Sequence, residues 1–70
     1  MVEPTDIGKM LKQRRKQLGV DQHTLAMLAQ MSVNTIVAVE RGTTDPSLST
    51  INKLCDVLGL ELIVRLKEDK

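Results

Sequence analysis

The segment from Gln22 to Gly42, QHTLAMLAQMSVNTIVAVERG, contains the residues whose types and spacing suggest chemistry. It is typical of two short helices joined by a tight turn, the second of which ends at Gly42. One amide and three small apolar residues form the outer face of the second helix: Val33, Asn34, Val37 and Ala38. A helix fits the major groove of DNA, where an amide can bond a base edge and apolar groups can contact thymine methyls. We therefore expect double-stranded DNA as the partner.

Two helices this short need others to support them. The first of these is predicted from about Asp6 to Leu18, with Thr5 or Asp6 as its cap and Gly19 as its left-handed end. Its apolar residues keep helical spacing and form one stripe: Ile7, Met10, Leu11 and Leu18.

The other three helices are marked by capping residues. A residue suited to an N-cap precedes each of them: Asp21, Ser32 and Ser47. Gln30-Met31 forms the turn, and Gly42 and Gly59 follow the last two helices. These signals place the third helix at 33–41 and the fourth at 48–58.

The apolar period changes to two after Gly59. Leu60, Leu62, Val64 and Leu66 alternate with Glu61, Ile63, Arg65 and Lys67. This pattern predicts a strand over 60–67, although a fifth helix or a frayed tail remains an alternative. The pattern predicts only this strand, and a lone strand leaves its backbone groups unpaired, so we expect it to pair with a second copy in a two-fold homodimer. The predicted divisions are a flexible N-terminus (1–5), a helical domain (6–59), the dimerisation strand and a tail (68–70).

Composition narrows the class of protein. Seventy residues allow one domain, and a core without any aromatic residue must be built from aliphatic side chains. Five of the ten cations lie between Lys9 and Lys16, so one side can be basic at a net charge of +1, although an ordinary solvated helix face gives the same pattern. One cysteine and no long apolar run fit a cytoplasmic protein without a membrane segment.

Residues 20–42 resemble the phage-repressor (Xre/Cro-like) type of helix-turn-helix protein. The matching features are Gln22, Leu25-Ala26, Ser32, Thr35-Ile36 and Glu40-Arg41-Gly42, followed by Asp45-Pro46-Ser47-Leu48 and the segment from Leu54 to Gly59. The resemblance covers 6–59 and implies an all-α, lambda-repressor-like bundle of about four helices, to which the predicted C-terminal strand is added. The chain departs from the family at Gln30, where a glycine is usual.

The family's base-reading positions fall on Val33, Asn34, Val37 and Ala38. The amide of Asn34 would bond adenine, and the three apolar residues would contact thymine methyls, which predicts an A·T-containing half-site. Asn34 could instead be a solvated helix residue, and Val37 could be partly buried in the core.

The resemblance also assigns phosphate contacts and one ion pair. Phosphate contacts are expected from Gln22 at the start of the second helix and from four further residues: Lys12, Thr35, Arg41 and Thr43. Arg14 is a weaker candidate. Arg15 and Glu40 occupy the positions of a structural ion pair between the first and third helices.

These expectations describe a homodimeric repressor on a pseudo-palindromic operator, with its recognition helices about 34 Å apart. The C-terminal strand also resembles the HipB-like antitoxins, which are dimeric repressors that bind a toxin kinase, so an antitoxin that neutralises a partner toxin is the alternative. We expect no enzymatic activity, cofactor or metal site, because the chain has one histidine and one cysteine and contains none of the common catalytic motifs.

Overall fold

The computed structural model describes residues 3–64 and 66, and this part of the chain is all-α. Four helices follow one another: α1 (Pro4–Gln17), α2 (Gln22–Leu28), α3 (Val33–Arg41) and α4 (Leu48–Leu58). The fold class is therefore as predicted. Among the described residues, no helix has the length and apolar character needed to cross a membrane.

The three predicted N-caps of α2, α3 and α4 are confirmed. Asp21 accepts a hydrogen bond from the backbone of Thr24 at 2.7 Å. Ser32 and Ser47 do the same for the third residue of their helices, each at 3.2 Å. The caps satisfy backbone N–H groups that have no partner inside the helix, which fixes where each helix begins.

The start of α1 was predicted incorrectly. The helix begins at Pro4 with Glu3 as its N-cap, not with Thr5 or Asp6. Proline suits the first helical position because its φ is already helical and the missing N–H would have no partner there. Asp6 supports this start from the third position, where its Oδ2 accepts the backbone N–H of Glu3 at 3.1 Å. The predicted boundary at residue 6, between the flexible N-terminus and the helical domain, therefore lies inside α1.

The core is aliphatic and lies where all four helices meet. Its largest fully buried side chains come from every helix: Leu11, Leu25, Ile36, Leu54 and Leu58. The predicted stripe of α1 is only partly correct, because Met10 is 63% exposed and Leu18 is 44% exposed. The side of α1 that faces α3 instead contains Gly8, Leu11 and Arg15, which leaves Met10 at the edge of the core.

Two glycines allow α1 and the C-terminal end of α3 to approach closely. A Cβ on Gly8 would overlap the carbonyl oxygen of Val39 and lie 2.7 Å from that of Glu40. Gly42, with φ of +72°, ends α3, and a Cβ there would lie 2.5 Å from Cγ2 of Thr5. Backbone packing at these positions therefore fixes the end of α3 against α1.

The C-terminal segment differs from its prediction. Residues 60–64 and Leu66 form neither helix nor strand, while Arg65 and residues 67–70 of the predicted strand and tail lie outside the described residues. A strand needs a neighbouring backbone with which to exchange hydrogen bonds, and the described part of this single chain supplies none. Leu60 nevertheless packs against the core.

Candidate nucleic-acid interface

The turn between α2 and α3 sets the direction of the third helix. Gln30 has φ of +57° and is the non-glycine residue that adopts the left-handed conformation in the described chain. The next residue, Met31, donates its N–H to the carbonyl of Ala26 at 2.9 Å, and its side chain packs on the core. The turn thus forms without the family's glycine, at a conformational cost of about 1–2 kcal/mol.

The two faces of α3 are distinct. Ile36 and Val39 point into the core and are almost fully buried. On the other side Asn34 is exposed, while Val37 and Ala38 are half-buried and lie outside the core cluster. Val33 differs from its neighbours because part of its side chain packs against the core. The outer face is therefore centred on Asn34, Val37 and Ala38, with Val33 at its margin.

The predicted ion pair between Arg15 and Glu40 is present and buried. Nε of Arg15 donates to Oε2 of Glu40 at 2.7 Å, and a second guanidinium nitrogen, Nη2, donates to Oε1 at 3.0 Å. Nη1 of the same guanidinium donates to the carbonyl of Val20 at 2.8 Å. This pair joins α1 to the end of α3, and the third hydrogen bond ties the connection between α1 and α2 to the same guanidinium.

The carboxylate of Glu40 is stabilised in its charged form. Burial acts to raise the pKa of Glu40, but hydrogen bonds from Arg15 and Gln22, together with the nearby charges of Arg15 and Lys12, outweigh it and lower the pKa below its usual value. The pKa of the Arg15 guanidinium is raised, chiefly by its hydrogen bond to Glu40. Both groups are therefore charged at neutral pH.

Gln22 has a role that the sequence did not suggest. Its Nε2 donates to Oε1 of Glu40 at 3.0 Å, which orients the amide at the start of α2. The amide keeps one N–H and its oxygen for another contact. Asp21 already supplies a negative charge at this helix terminus, so any attraction for phosphate must come from the side chain of Gln22 more than from the helix dipole.

The other predicted phosphate residues occupy different settings. Thr35 shares a 2.9 Å hydrogen bond between its hydroxyl and that of Ser32. Thr43 donates its hydroxyl to the carbonyl of Ala38 at 3.3 Å. Lys12 and Arg41 are exposed, and Lys12 lies close enough to Glu40 to lower its pKa. The structure thus bonds Gln22 to Glu40 and Thr43 to the end of α3, and the charge of Lys12 lies near the same carboxylate.

Arg14, the weaker phosphate candidate, contacts the end of α4. Its Nε donates to the carbonyl of Leu58, the last residue of α4, at 2.9 Å. A cation at this end of a helix is favourable because the final carbonyls lack partners inside the helix. Arg14 therefore caps α4 from α1. In the sequence, Arg14 lies a few residues before Gly19, the predicted end of the first helix, and this position did not indicate a contact with Leu58. The contact depends on how α1 packs against α4.

Comparison with known proteins identifies the family of this chain. The sequence model of the helix-turn-helix family matches residues 11–64. The HTH-type transcriptional regulator PuuR of Escherichia coli K12 is 36% identical over 55 residues, which are 79% of this chain and 30% of PuuR. This chain therefore corresponds to less than a third of that relative's length.

Two further relatives match over most of their own length. An HTH-type transcriptional regulator of Methanothermobacter thermautotrophicus is 35% identical over 54 residues, covering 77% of this chain and 78% of that protein. The crystal structure of the restriction-modification controller protein C.AhdI from Aeromonas hydrophila superposes with a TM-score of 0.79 at 34% identity, covering 83% of this chain and 88% of C.AhdI. None of these relatives is named as an antitoxin. This chain belongs to the helix-turn-helix family of DNA-binding transcriptional regulators.

Proposed function

We propose that the protein is a homodimeric repressor that binds a pseudo-palindromic operator, with α3 of each copy in the major groove. The observation that carries this proposal is the outer face of α3, where exposed Asn34 lies beside Val37 and Ala38. In the proposed complex the amide of Asn34 bonds adenine, and Val33, Val37 and Ala38 contact thymine methyls. Bound in this way, a dimer represses by occupying the promoter region.

Phosphate contacts hold this helix in register. We assign them to Lys12, Gln22, Thr35, Arg41 and Thr43, which lie on α1, at the start of α2, on α3 and just beyond its end. The bond from Gln22 to Glu40 presents the remaining amide groups of Gln22 in a fixed orientation. Such contacts set position and contribute to affinity, but they do not read sequence.

Selection of duplexes from a randomised pool tests the proposal. At about 0.1–0.2 M salt, non-specific phosphate binding is weak, so enrichment reports base recognition. We expect an inverted repeat whose half-site centres lie one helical turn apart, about 34 Å, and whose half-sites contain A·T pairs. A folded protein that enriches no sequence, or only a single unrepeated half-site, contradicts the homodimeric repressor.

Replacing Asn34 with alanine is expected to weaken operator binding without changing stability. A bidentate amide–adenine contact contributes about 1–3 kcal/mol of discrimination, so each half-site should lose about 5- to 150-fold in preference for its adenine. Asn52→Ala is the matched control, because Asn52 is an exposed asparagine on α4. Titration of the selected operator by fluorescence anisotropy, with melting curves of both variants, gives the result. Equal binding by the two variants would remove Asn34 from the reading face.

A further inference from the structure

The turn between α2 and α3 holds a glutamine where the fold elsewhere uses glycine. The other residues of the described chain with positive φ are glycines that follow helices: Gly19, Gly42 and Gly59. Glycine adopts this conformation freely because it has no Cβ, so Gln30, with φ of +57°, is the exception. Strained residues of this kind persist where the surrounding structure imposes them, and they concentrate at functional sites.

The backbone holds this turn, and the side chain of Gln30 takes no part in it. The N–H of Gln30 donates to the carbonyl of Met27 at 3.2 Å, and the N–H of Met31 donates to that of Ala26 at 2.9 Å. These two bonds close a helix end of the type that usually carries glycine. The side chain of Gln30 is exposed, and its amide bonds no other residue of the described chain. The described part of this chain therefore gives no reason for a glutamine at this position.

Gln30 carries the available polar groups of an uncharged stretch. Residues 24–33 contain no charged side chain, and their other polar side chains are Thr24 and Ser32. Ser32 caps α3, and Thr24 bonds Asp21. The amide of Gln30 has both N–H groups and its oxygen available for a partner outside the chain. This stretch also presents no carboxylate that would repel a phosphate.

Gln30 and Gln22 stand at opposite ends of α2. Gln22 is the first residue of this helix, and Gln30 follows its C-cap, Ala29. At a rise of 1.5 Å per residue, the helix and turn between the two glutamines span about 12 Å. The major groove is also about 12 Å wide. The two amides therefore match the two edges of the groove.

We propose that the amide of Gln30 donates a hydrogen bond to an operator phosphate, on the strand opposite to the one that Gln22 contacts. This inference rests on the proposed function and adds a positioning contact to it. A recognition helix lies in the major groove with its N-terminal residues on base edges, so the turn before α3 lies where the chain enters the groove. A contact at each edge fixes the angle at which α3 enters and so positions Asn34 on its base.

Gln30→Gly separates a DNA contact from a role in the turn. Glycine relieves the left-handed strain, which exceeds the extra freedom that glycine gives the unfolded chain, so stability in urea should rise slightly. Affinity for the selected operator should fall by about tenfold or more, the contribution of a hydrogen bond to a charged group. A more stable variant with unchanged affinity would show that the turn merely tolerates Gln30, and this result would overturn the proposal.

Gln30→Glu keeps the shape of the side chain and the strain of the turn, but it replaces the donor with a negative charge. Operator affinity in anisotropy titrations should fall further than in Gln30→Gly, because a carboxylate repels phosphate. Asn52→Asp is the matched control, since it makes the same exchange of amide for carboxylate at an exposed position on α4. It should lose much less affinity. Equal losses in the two variants would mean that net charge alone weakens binding, and the contact would be rejected.

Modified DNA identifies the group that Gln30 contacts. Single operator phosphates are replaced by neutral methylphosphonates, and binding of the unsubstituted protein is compared with that of Gln30→Gly. We expect one position whose neutralisation weakens the unsubstituted protein but not Gln30→Gly, on the strand opposite to the position that depends on Gln22. If Gln30→Gly instead changes the preference at one base pair and no such phosphate exists, Gln30 reads a base and the phosphate contact is wrong.

The outcomes separate this inference from the proposed function. A protein that selects an inverted repeat and depends on Asn34, but binds equally well as Gln30→Gly, keeps the repressor function and loses the contact at the turn. A protein that selects no operator loses the repressor function, and the contact is then judged on an arbitrary duplex at about 0.05 M salt, where phosphate binding is measurable. Weaker binding by Gln30→Glu than by Asn52→Asp supports the contact there, and equal binding overturns it.

Discussion

Gly8→Ala is expected to destabilise the protein strongly, although alanine is the better helix former. Within a helix, the exchange alone would stabilise by about 1 kcal/mol. At Gly8, however, the new Cβ would overlap the carbonyl oxygen of Val39 and lie 2.7 Å from that of Glu40. These are backbone atoms, so α1 and α3 must move apart as units. We expect a net loss near or above about 3 kcal/mol, the upper end of the usual range for overpacking, measured by urea denaturation.

Gly19→Ala is the matched control for this effect. Gly19 has φ of +70°, and a Cβ added there would have no neighbouring atom within 4 Å, so alanine at this position meets conformational strain alone. That strain amounts to about 1–2 kcal/mol. If Gly8→Ala proved as stable as the unsubstituted chain, the close approach of α1 to α3 would be wrong. If Gly8→Ala loses no more unfolding free energy than Gly19→Ala, α1 and α3 can move apart at little cost.

Local signals in the sequence predicted most helix boundaries. Asp21, Ser32 and Ser47 were identified as caps because their side chains act within three residues, so no tertiary information was needed. Gly42 and Gly59 were identified as helix ends for the same reason. At the start of α1 several local signals competed, and Pro4 prevailed over Thr5 and Asp6.

Contacts between distant residues could not be predicted from pattern alone. Family resemblance supplied the pair of Arg15 and Glu40, but the bond from Gln22 to the same carboxylate and the bond from Arg14 to Leu58 depend on how α1 packs. The exposure of Met10 follows from the same packing. The predicted C-terminal strand would need a partner backbone, and the described part of one chain does not provide it.

Glu40→Ala is expected to lower both stability and DNA binding. Removing one member of a buried ion pair leaves the other charge without compensation and costs about 3–5 kcal/mol. A domain of this size has a total stability of only about 4–10 kcal/mol. The melting temperature should therefore fall by about 12 °C or more. Operator affinity should fall as well, because Gln22 loses the carboxylate that orients its amide.

The behaviour of Asn34→Ala distinguishes this role from direct base contact. Asn34→Ala should lose operator affinity at an unchanged melting temperature, whereas Glu40→Ala should lose both. Similar melting temperatures for the two variants would contradict the structural role of Glu40. Differential scanning calorimetry and anisotropy titration on the same preparations give both quantities.

The lowered pKa of Glu40 adds a pH signature to this test. Because the folded state holds the carboxylate charged, its contribution to stability is present above the usual pKa of 4.5 and is lost as pH falls through the lower folded value. Glu40→Gln has nearly the same shape but does not ionise. Compared with the unsubstituted protein, Glu40→Gln should therefore be less stable at neutral pH. It should also lose less stability between neutral pH and pH values below 4.5. Some acid dependence should remain in Glu40→Gln, since the hydrogen bonds that Asp21 accepts from Thr24 also lower the pKa of Asp21. Parallel acid profiles for the two proteins would show that the charge of Glu40 does not hold α1 to α3.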